Sequence, residues 1–414
     1  MDINNQQQYG QLRISVISSV AYIPIVGATV TIAYTEEPSV PIFSGTTDRS
    51  GETGVIQLTA PNFDYSQVPS SVQPYTDYNI TVEAPGYEPV LISGTEVLPD
   101  RLALQQIRMQ PVELTQEEER IVVIPVHTLF GEYPPKIPEE EIKPMAETGE
   151  IVLSRVVIPE YVIVHDGVPT DSTAPNYWVR YKDYIKNVAS CEIYATWPES
   201  ALYANILAIM SFTLNRVYTE WYRNQGYDFT ITSSTAYDQK WIYGRNIYEN
   251  IDVLVDNVFA NYLSRPGVRQ PILAAYCDGE RVTCNGLSQW GSRYLGDEGY
   301  SAIEILRYYY GNDIYINTAQ AISGVPSSYP GYDLTIGSSG DKVRQLQNQL
   351  NRIARNYPAI PTITADGIYG PATAEAIRVF QGVFNLPQTG VTDYATWYEV
   401  SDIYVGVSRI AEPS

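Results

Sequence analysis

Hydrophobic and polar positions alternate along the first part of the chain. Apolar side chains recur at every second position in two early runs, Leu12, Ile14, Val16 and Val26, Ala28, Val30, Ile32. Alternation with period two predicts half-buried strands. Turn residues such as Asp48-Arg49-Ser50-Gly51 separate such runs. Residues 1–112 are therefore predicted to form an all-β sandwich of seven strands.

The pattern changes to a helical period in the middle of the chain. Between residues 201 and 223 the apolar side chains recur at steps of three and four, at Leu202, Ile206, Met210, Leu214, Val217 and Trp221. This spacing predicts one buried helical stripe. Thr196, Pro198 and Glu199 before it predict a capping box with proline in the first turn. We expect residues 151–324 to form an α+β domain.

A smaller helical unit is predicted for residues 325–414, after a proline-marked hinge at 325–330. Residues 341–356 and 373–384 each carry one apolar face, and Asp366-Gly367 and Gly370-Pro371 predict a tight turn between them. Leu346, Leu350, Phe380 and Trp397 are predicted core residues, because apolar helical stripes are usually buried.

Residues 113–150 have a different composition from the regions on either side. Glutamate triplets at 117–119 and 139–141 lie on both sides of Pro134-Pro135-Lys136-Ile137-Pro138. Such charge and proline content is typical of a stiff, solvated linker. An exposed segment between two folded units is also where a protease cuts, so a processing site is the alternative interpretation.

Composition and charge exclude several classes of function. There are 47 acidic against 26 basic residues, a net charge of −21, which argues against a nucleic-acid partner. The first residues lack the pattern of a signal peptide, and no apolar run is long enough to predict a membrane span. The 35 tyrosines against 8 phenylalanines fit grooves that contact a wet, sugar-like ligand.

Histidine and cysteine are scarce. His127 and His165 are the two histidines, too few to favour a zinc peptidase or a Ser-His-Asp triad. Cys191 lacks a neighbouring basic residue that would activate a thiol, so we do not expect a cysteine nucleophile.

Three stretches resemble known domains. Residues 24–30, 46–54 and 78–87, which read PIVGATV, TTDRSGETG and YNITVEAPGY, resemble transthyretin-like sandwich domains. Residues 334–350, 365–381 and 389–397 resemble a peptidoglycan-binding domain with a three-helix core. Residues 188–212 and 276–311, with SCEIYATWPESALYA and SQWG before EILRYYYG, resemble the stage II sporulation protein D family of lytic transglycosylases. The order of the units is similar to that of spore cortex-lytic enzymes.

The resemblance to lytic transglycosylases implies a catalytic glutamate. Such an enzyme needs a carboxyl group that acts first as an acid and then as a base, and an apolar setting favours the protonated acid. Glu192 matches the family's catalytic residue and is flanked by Cys191 and Ile193, whereas Glu199 lies at a helix start that favours the ionised form. We expect Glu192 to be catalytic, with Glu199 as the alternative.

Substrate-binding residues are also implied by this resemblance. Ser288, Gln289 and Trp290 would line a glycan cleft opposite Glu192, and Tyr276 and Trp290 could stack on sugar rings. Ser288 could equally cap a helix, and both aromatic residues could be buried in the core. The family places two cysteines and a histidine around zinc, but no histidine lies near Cys277 and Cys284. A disulfide or two free thiols is therefore favoured over zinc, and no cofactor is expected.

Together these resemblances imply a peptidoglycan hydrolase of the spore cortex. We expect a lytic transglycosylase that cleaves MurNAc–GlcNAc bonds to 1,6-anhydro products during germination, stored as a zymogen and activated by a protease. A non-catalytic peptidoglycan-binding or spore-coat scaffold protein is one alternative. An N-acetylmuramoyl-L-alanine amidase is another, although the scarcity of histidine argues against zinc chemistry.

Overall fold

A computed structural model describes residues 8–19, 23–112, 120–143, 156–319, 321–322 and 332–408. No helix within these ranges combines the length and the apolar character that crossing a membrane requires.

Strands dominate the N-terminal region, as the alternating pattern predicts. They are β1 (Gln8–Ser18), β2 (Thr29–Tyr34), β3 (Pro41–Thr46), β4 (Ile56–Ala60), β5 (Thr76–Glu83), β6 (Val90–Val97), β7 (Leu102–Met109) and β8 (Arg120–Val123), with a 3-10 turn at Phe63–Ser66. Leu12, Ile14 and Val16 point inward from β1 and are fully buried. Val26 is 62% exposed because it lies in the turn before β2, so its predicted place in the alternation was wrong.

The middle region mixes short strands with helices. Its elements are β9 (Val157–Ile158), β10 (Tyr161–His165), β11 (Asn176–Arg180), α1 (Tyr181–Glu192), α2 (Glu199–Tyr218), β12 (Ile231–Thr232), β13 (Ile247–Tyr248), α3 (Glu249–Val258), β14 (Asn261–Ser264), β15 (Tyr276–Cys277), β16 (Leu287–Ser288), α4 (Gln289–Asp297), α5 (Ala302–Tyr310), β17 (Tyr315–Thr318) and β18 (Ala321–Ile322). Helix α2 lies at the centre and contacts α1, α3, α4, α5 and β14. The predicted stripe was wrong at its end, since Val217 is only partly buried and Trp221 lies beyond α2. The polar side chains Asn205, Ser211 and Asn215 are buried as well, so α2 is enclosed on more than one face.

The predicted capping box before α2 does not form. Pro198 occupies the N-cap position and makes no side-chain capping bond. The hydroxyl of Thr196 instead donates to Ser66 of the N-terminal region, at 2.7 Å. The Thr196 side chain, which the local sequence predicted to cap α2, therefore forms a hydrogen bond with another region instead.

Three helices, α6 (Asp341–Ala354), α7 (Pro371–Val383) and α8 (Tyr394–Ser408), form the C-terminal region. The predicted core residues Leu346, Leu350, Phe380 and Trp397 are all fully buried. The amide of Gln347 bridges α6 to the turn before α7: its Nε2 donates to Asp366 at 3.1 Å and its Oε1 accepts from the Gly367 N–H at 2.8 Å. This bond fixes the tight turn that the Asp-Gly pair predicted.

The two sheets of the N-terminal region each extend beyond residue 112. One sheet has the strand order β3-β2-β5-β6-β8, and the other has the order β13-β7-β1-β4. Strand β8 therefore comes from the predicted linker, and β13 comes from the middle region, where Ile247 pairs with Leu104. The two regions consequently share a sheet as well as an apolar core.

Residues 120–143 do not form a solvated linker. Glu139 accepts two bonds from the buried guanidinium of Arg216, at 2.6 and 2.8 Å, and Lys143 is 5% exposed. The N–H of Ile137 donates to Ala236 at 2.8 Å. The expectation was wrong for these residues because β8 pairs with β6 and Glu139 is bound by the buried Arg216, although Pro134, Pro135 and Glu140 are exposed. Residues 113–119 and 144–150, where the proposed cut would also fall, lie outside the described residues.

Candidate active site

Glu192 ends helix α1 and is completely buried. The chain turns there, since the next residue, Ile193, has an extended backbone conformation. One carboxylate oxygen, Oε1, accepts a hydrogen bond from the N–H of Lys240 at 2.8 Å. A buried carboxyl group needs such partners, because even a neutral polar group left unbonded in an apolar interior costs about 2–7 kcal/mol and an ionised one costs more.

Gln289 supplies the second donor to Glu192. Its Nε2 lies 3.2 Å from Oε2 of Glu192 and 3.0 Å from the backbone oxygen of the same residue. Gln289 is the first residue of α4, and Ser288 before it accepts from the N–H of Gly291 at 2.9 Å. Ser288 thus caps α4, as the alternative interpretation expected.

Trp290 and Tyr276 are buried among aromatic side chains. Trp290 is 2% exposed, and its ring lies 5.0 Å from that of Trp197 and 6.0 Å from that of Tyr194. Tyr276 is 1% exposed and packs against Phe212. Burial raises the pKa of Tyr276 well above its ordinary value, and the nearby Glu192 carboxylate adds to this shift. Tyr276 therefore lies beside Glu192, while neither ring presents an open face in this conformation.

Glu199 lies apart from this arrangement. It is the first residue of α2 and its side chain is exposed. The donors to the Glu192 carboxylate come from Lys240 and Gln289, so the structure places Gln289 with Glu192 and leaves Glu199 at the surface.

Two residues of the predicted linker, Tyr133 and Lys136, also lie beside Glu192. The ammonium of Lys136 is 4.5 Å from the ring centroid of Tyr276 and donates to the backbone oxygen of Asp238 at 2.6 Å. Burial lowers the pKa of Lys136, while the Glu192 and Asp238 carboxylates act in the opposite direction. Nothing in the charged, proline-rich pattern around Lys136 indicated this position.

Tyr133 faces two carboxylates. It is 7% exposed, and burial raises the pKa of its hydroxyl well above the ordinary value, with Glu192 and Asp278 adding to the shift. Asp278 is itself fully buried and accepts from Arg281 at 2.7 Å. Asp278 is thus a second buried acid beside Tyr133 that the sequence motifs did not indicate.

We call residues 127–136 the covering segment, because Tyr133 and Lys136 lie near the Glu192 carboxylate and Thr128 bonds to the neighbouring Cys191. Arg281 donates to the backbone oxygens of Thr128, at 3.0 Å, and Gly131. The N–H of Thr128 donates to the oxygen of Cys191 at 3.3 Å, and the ring of His127 stacks on Tyr194 with centroids 4.4 Å apart. The segment is therefore fixed at several points around the buried carboxyl.

The cysteines fit a disulfide rather than a metal. Cys277 and Cys284 are joined by a disulfide bond, which removes both thiolates that zinc would need. His165 stacks on Phe229, and its Nδ1 lies 2.8 Å from Asn176. Burial raises the pKa of Cys191 to about 12, so this free thiol remains protonated at neutral pH. Over the described ranges, no three His, Cys, Asp or Glu side chains are grouped as a metal site.

Comparison with known proteins identifies the C-terminal region. Residues 339–399 match the family model of the peptidoglycan binding domain. The chain therefore carries a C-terminal peptidoglycan-binding domain, which supports association with the cell wall and peptidoglycan as a partner.

Comparisons over the rest of the chain add little. No curated protein matches the chain. Among solved structures, 3-chlorocatechol 1,2-dioxygenase from Rhodococcus opacus 1CP is similar at 11% identity and a TM-score of 0.18. The match covers 27% of this chain and 63% of the dioxygenase, and a likeness of that size carries no argument about fold or function.

Proposed function

We propose that this protein is a peptidoglycan lytic transglycosylase of the spore cortex, stored as a zymogen and active during germination. The observation that carries the proposal is the contact between Glu192 and Gln289, 97 residues apart in sequence. The resemblance to the sporulation protein D family names these two positions independently, and the fold brings them together. The order of the units also resembles the cortex-lytic enzyme SleC.

Glu192 would carry both proton transfers. Its carboxylic acid would donate a proton to the glycosidic oxygen as the bond from MurNAc C1 breaks. The resulting carboxylate would then take the proton of the MurNAc C6 hydroxyl as that oxygen closes on C1, which gives the 1,6-anhydro product. The donors from Lys240 and Gln289 would hold the carboxyl in one orientation through both steps.

The buried side chains around Glu192 would also exclude water from the reaction. Hydrolysis would compete with ring closure if water could reach C1 at the moment the glycosidic bond breaks. The apolar and aromatic side chains around Glu192, among them Tyr276 and Trp290, are buried and keep the site dry. The peptidoglycan-binding domain would hold the polymer and raise its concentration near Glu192.

The covering segment supports the zymogen part of the proposal. Glu192 has no exposed surface, so a glycan strand can reach it only if neighbouring side chains move, and Tyr133 and Lys136 are among those neighbours. Cleavage within 113–119 or 144–150 by an activating protease would free one end of the piece that contains residues 127–136. The segment could then move away from the carboxyl.

The test is an analysis of reaction products. A specific protease site is introduced within 144–150, and purified cortex is incubated with the full chain before and after cutting. Cut protein should release anhydro-muramyl ends detectable by mass spectrometry. Glu192→Gln should abolish them, whereas the matched variant Glu199→Gln should not.

Other product patterns would contradict the proposal. Free amino termini without anhydro sugars would indicate an amidase that cuts the stem peptide. Retention on sacculi without release of any glycan, by cut and uncut protein alike, would indicate a non-catalytic binder or coat scaffold.

A further inference from the structure

A cavity of about 440 Å³ lies where the N-terminal, middle and C-terminal regions meet. Its walls include Gln106 from β7, Trp178 from β11 and Tyr357 from the C-terminal region. Glu192 is not among the residues that line it. The volume falls within the range of roughly 300–1,000 Å³ that small-ligand sites occupy. The cavity is therefore large enough for a ligand and separate from the candidate active site.

Charged side chains of the lining are paired within the protein. Three basic side chains bind carboxylates, in the pairs Arg13–Glu249, Lys186–Asp252 and Arg245–Glu96. The acidic side chain of Glu399 is bound by Lys182. Arg120 donates to the hydroxyl of Tyr243. Because the protein itself satisfies these charges, the cavity fits an uncharged ligand.

Trp178 is an exposed tryptophan at the mouth of the cavity. It is 54% exposed, whereas Trp197, Trp241, Trp290 and Trp397 are at most 5% exposed. Tryptophan is highly buried on average in folded proteins, and ligand sites are lined mainly by apolar and aromatic side chains. An exposed indole that also lines a cavity therefore indicates a contact with a ligand.

Further rings and a free-standing amide accompany Trp178. Tyr161 packs against it with ring centroids 6.3 Å apart and planes at 68°, so the two rings are not stacked face to face. Tyr357 and Phe384 on the C-terminal wall are partly exposed, and Gln106 on the opposite strand wall is exposed. The apolar C–H faces of sugars pack on such rings, and polar side chains bind sugar hydroxyls. This lining fits a saccharide.

The C-terminal wall belongs to the peptidoglycan-binding domain, since Tyr357 and Phe384 lie within the 339–399 match. Glycan strands of peptidoglycan alternate two sugars. N-acetylmuramic acid carries the stem peptide on its lactyl group, whereas N-acetylglucosamine is uncharged and has no such branch. A recess enclosed by three regions, with its charges already paired, therefore suits N-acetylglucosamine.

We propose that this cavity binds an N-acetylglucosamine residue of a glycan strand, separate from the Glu192 site. The sugar ring packs on the indole of Trp178, and its hydroxyl and acetamido groups face polar lining side chains such as Gln106. The proposal does not depend on transglycosylase activity, because a wall-binding protein without catalysis would use the same contacts.

The test is a titration of the full chain with tetra-N-acetylchitotetraose by isothermal calorimetry. This probe is an uncharged oligomer of N-acetylglucosamine, and it lacks the N-acetylmuramic acid on which the proposed reaction takes place. Its affinity should be the same at about 50 and about 500 mM NaCl, because no ion pair with the ligand forms. An affinity that falls about tenfold over this range, or no binding at several millimolar probe, would overturn the proposal.

Single variants locate the site. Trp178→Leu should weaken binding about tenfold, because the sugar loses its aromatic platform, whereas Trp178→Tyr keeps a ring and should retain most of the affinity. Gln106→Phe places a larger side chain in the cavity from an exposed position on β7 and should weaken binding by about the same factor. Tyr308→Leu alters an exposed aromatic residue outside the cavity and should bind as wild type does. Thermal unfolding confirms that each variant is folded.

Fluorescence quenching gives a second readout at Trp178. Acrylamide quenches exposed tryptophans, so the oligomer should reduce quenching in wild type and have no such effect in Trp178→Leu. Quenching that the oligomer leaves unchanged in wild type would show that the sugar does not cover this indole.

Two further outcomes contradict the site while leaving the proposed activity intact. One is an unchanged affinity in folded Trp178→Leu and Gln106→Phe. The other is loss of binding in Glu192→Gln, which would place the ligand at the buried carboxyl instead. Failure to form anhydro products from cortex would refute the transglycosylase proposal without affecting these titrations.

Discussion

Glu96 on β6 and Arg245 before β13 form a buried, two-pronged ion pair between the N-terminal and middle regions. The two guanidinium nitrogens Nη1 and Nη2 lie 2.5 Å from Oε1 and Oε2, and both side chains are at most 1% exposed. Nη2 also donates to the backbone oxygen of Ser190 at 2.8 Å, two residues before Glu192. The N-terminal region is thus tied to the helix that carries Glu192.

The ion pair predicts a large effect on stability. Glu96→Gln leaves a buried guanidinium without its carboxylate, which should lower the free energy of unfolding by about 3–5 kcal/mol. Urea denaturation of the full chain measures it. The double variant Glu96→Leu with Arg245→Met should recover most of the loss, because no unpaired charge remains. A loss below about 1 kcal/mol in the single variant would show that the pair is not buried as described.

The Glu96–Arg245 ion pair would be lost if the N-terminal region were deleted. A chain that begins near residue 150 lacks Glu96 and also lacks β7, with which β13 pairs. Deletion would therefore unfold part of the middle region, whereas a cut leaves both pieces in place. For this reason cutting, and not truncation, is the appropriate test of the zymogen.

Substitution of Gln289 is expected to lower activity, and substitution of Ser288 is expected to lower stability. Gln289→Leu removes the donor to Glu192 and should lower kcat about 10–100-fold with little change in KM, as the loss of a charge-assisted hydrogen bond would. Ser288→Ala removes the cap of α4 and should cost about 0.5–2 kcal/mol of stability with kcat nearly unchanged. Steady-state kinetics on cut protein and thermal unfolding measure both. A large fall in kcat for Ser288→Ala would mean that Ser288 contacts the glycan.

Lys136 is expected to hold the covering segment closed. Lys136→Met removes the hydrogen bond to the Asp238 oxygen and the contact with Tyr276, so the open form should become roughly tenfold more populated. Release of anhydro-muropeptides by uncut protein should rise accordingly. Lys342→Met, which alters a lysine over the ring of Trp397 in the C-terminal region, is the matched control. The prediction fails if uncut Lys136→Met is no more active than wild type.

His127 is expected to make stability depend on pH. Burial lowers its pKa well below 6.5, and Arg245 and Arg281 add to the shift. Below about pH 6.5 the unfolded chain binds a proton that the folded chain does not, so the contribution of His127 to stability is lost as pH falls. His127→Phe keeps a ring against Tyr194 and should reduce this decline, measured by urea unfolding between pH 7.5 and 5. An identical decline in both proteins would assign it to other groups.

The local pattern predicted much of the secondary structure. Alternating positions such as Leu12, Ile14 and Val16 lie on a strand, and Leu346 and Leu350 lie on a helix. The pattern predicts them because the residues on one face repeat with a fixed period in a strand and with another fixed period in a helix. The Thr196 capping box failed, since a hydroxyl of another region was a better partner than the helix start. The prediction for residues 120–143 failed for the same reason: Glu139, expected to be solvated, pairs with the buried Arg216.

For the candidate site, too, some features could be predicted from the sequence and others are seen only in the structure. Glu192, Gln289 and the peptidoglycan-binding domain could be named from motifs, and the excess of tyrosine already suggested a sugar ligand. Only the tertiary structure decided that Gln289 contacts Glu192, that Tyr276 and Trp290 are buried, and that Tyr133 and Lys136 lie near the carboxyl. Local periodicity and motifs depend on residues that are close together in the sequence. Burial and charge pairing depend instead on residues far apart in sequence that meet only when the chain is folded.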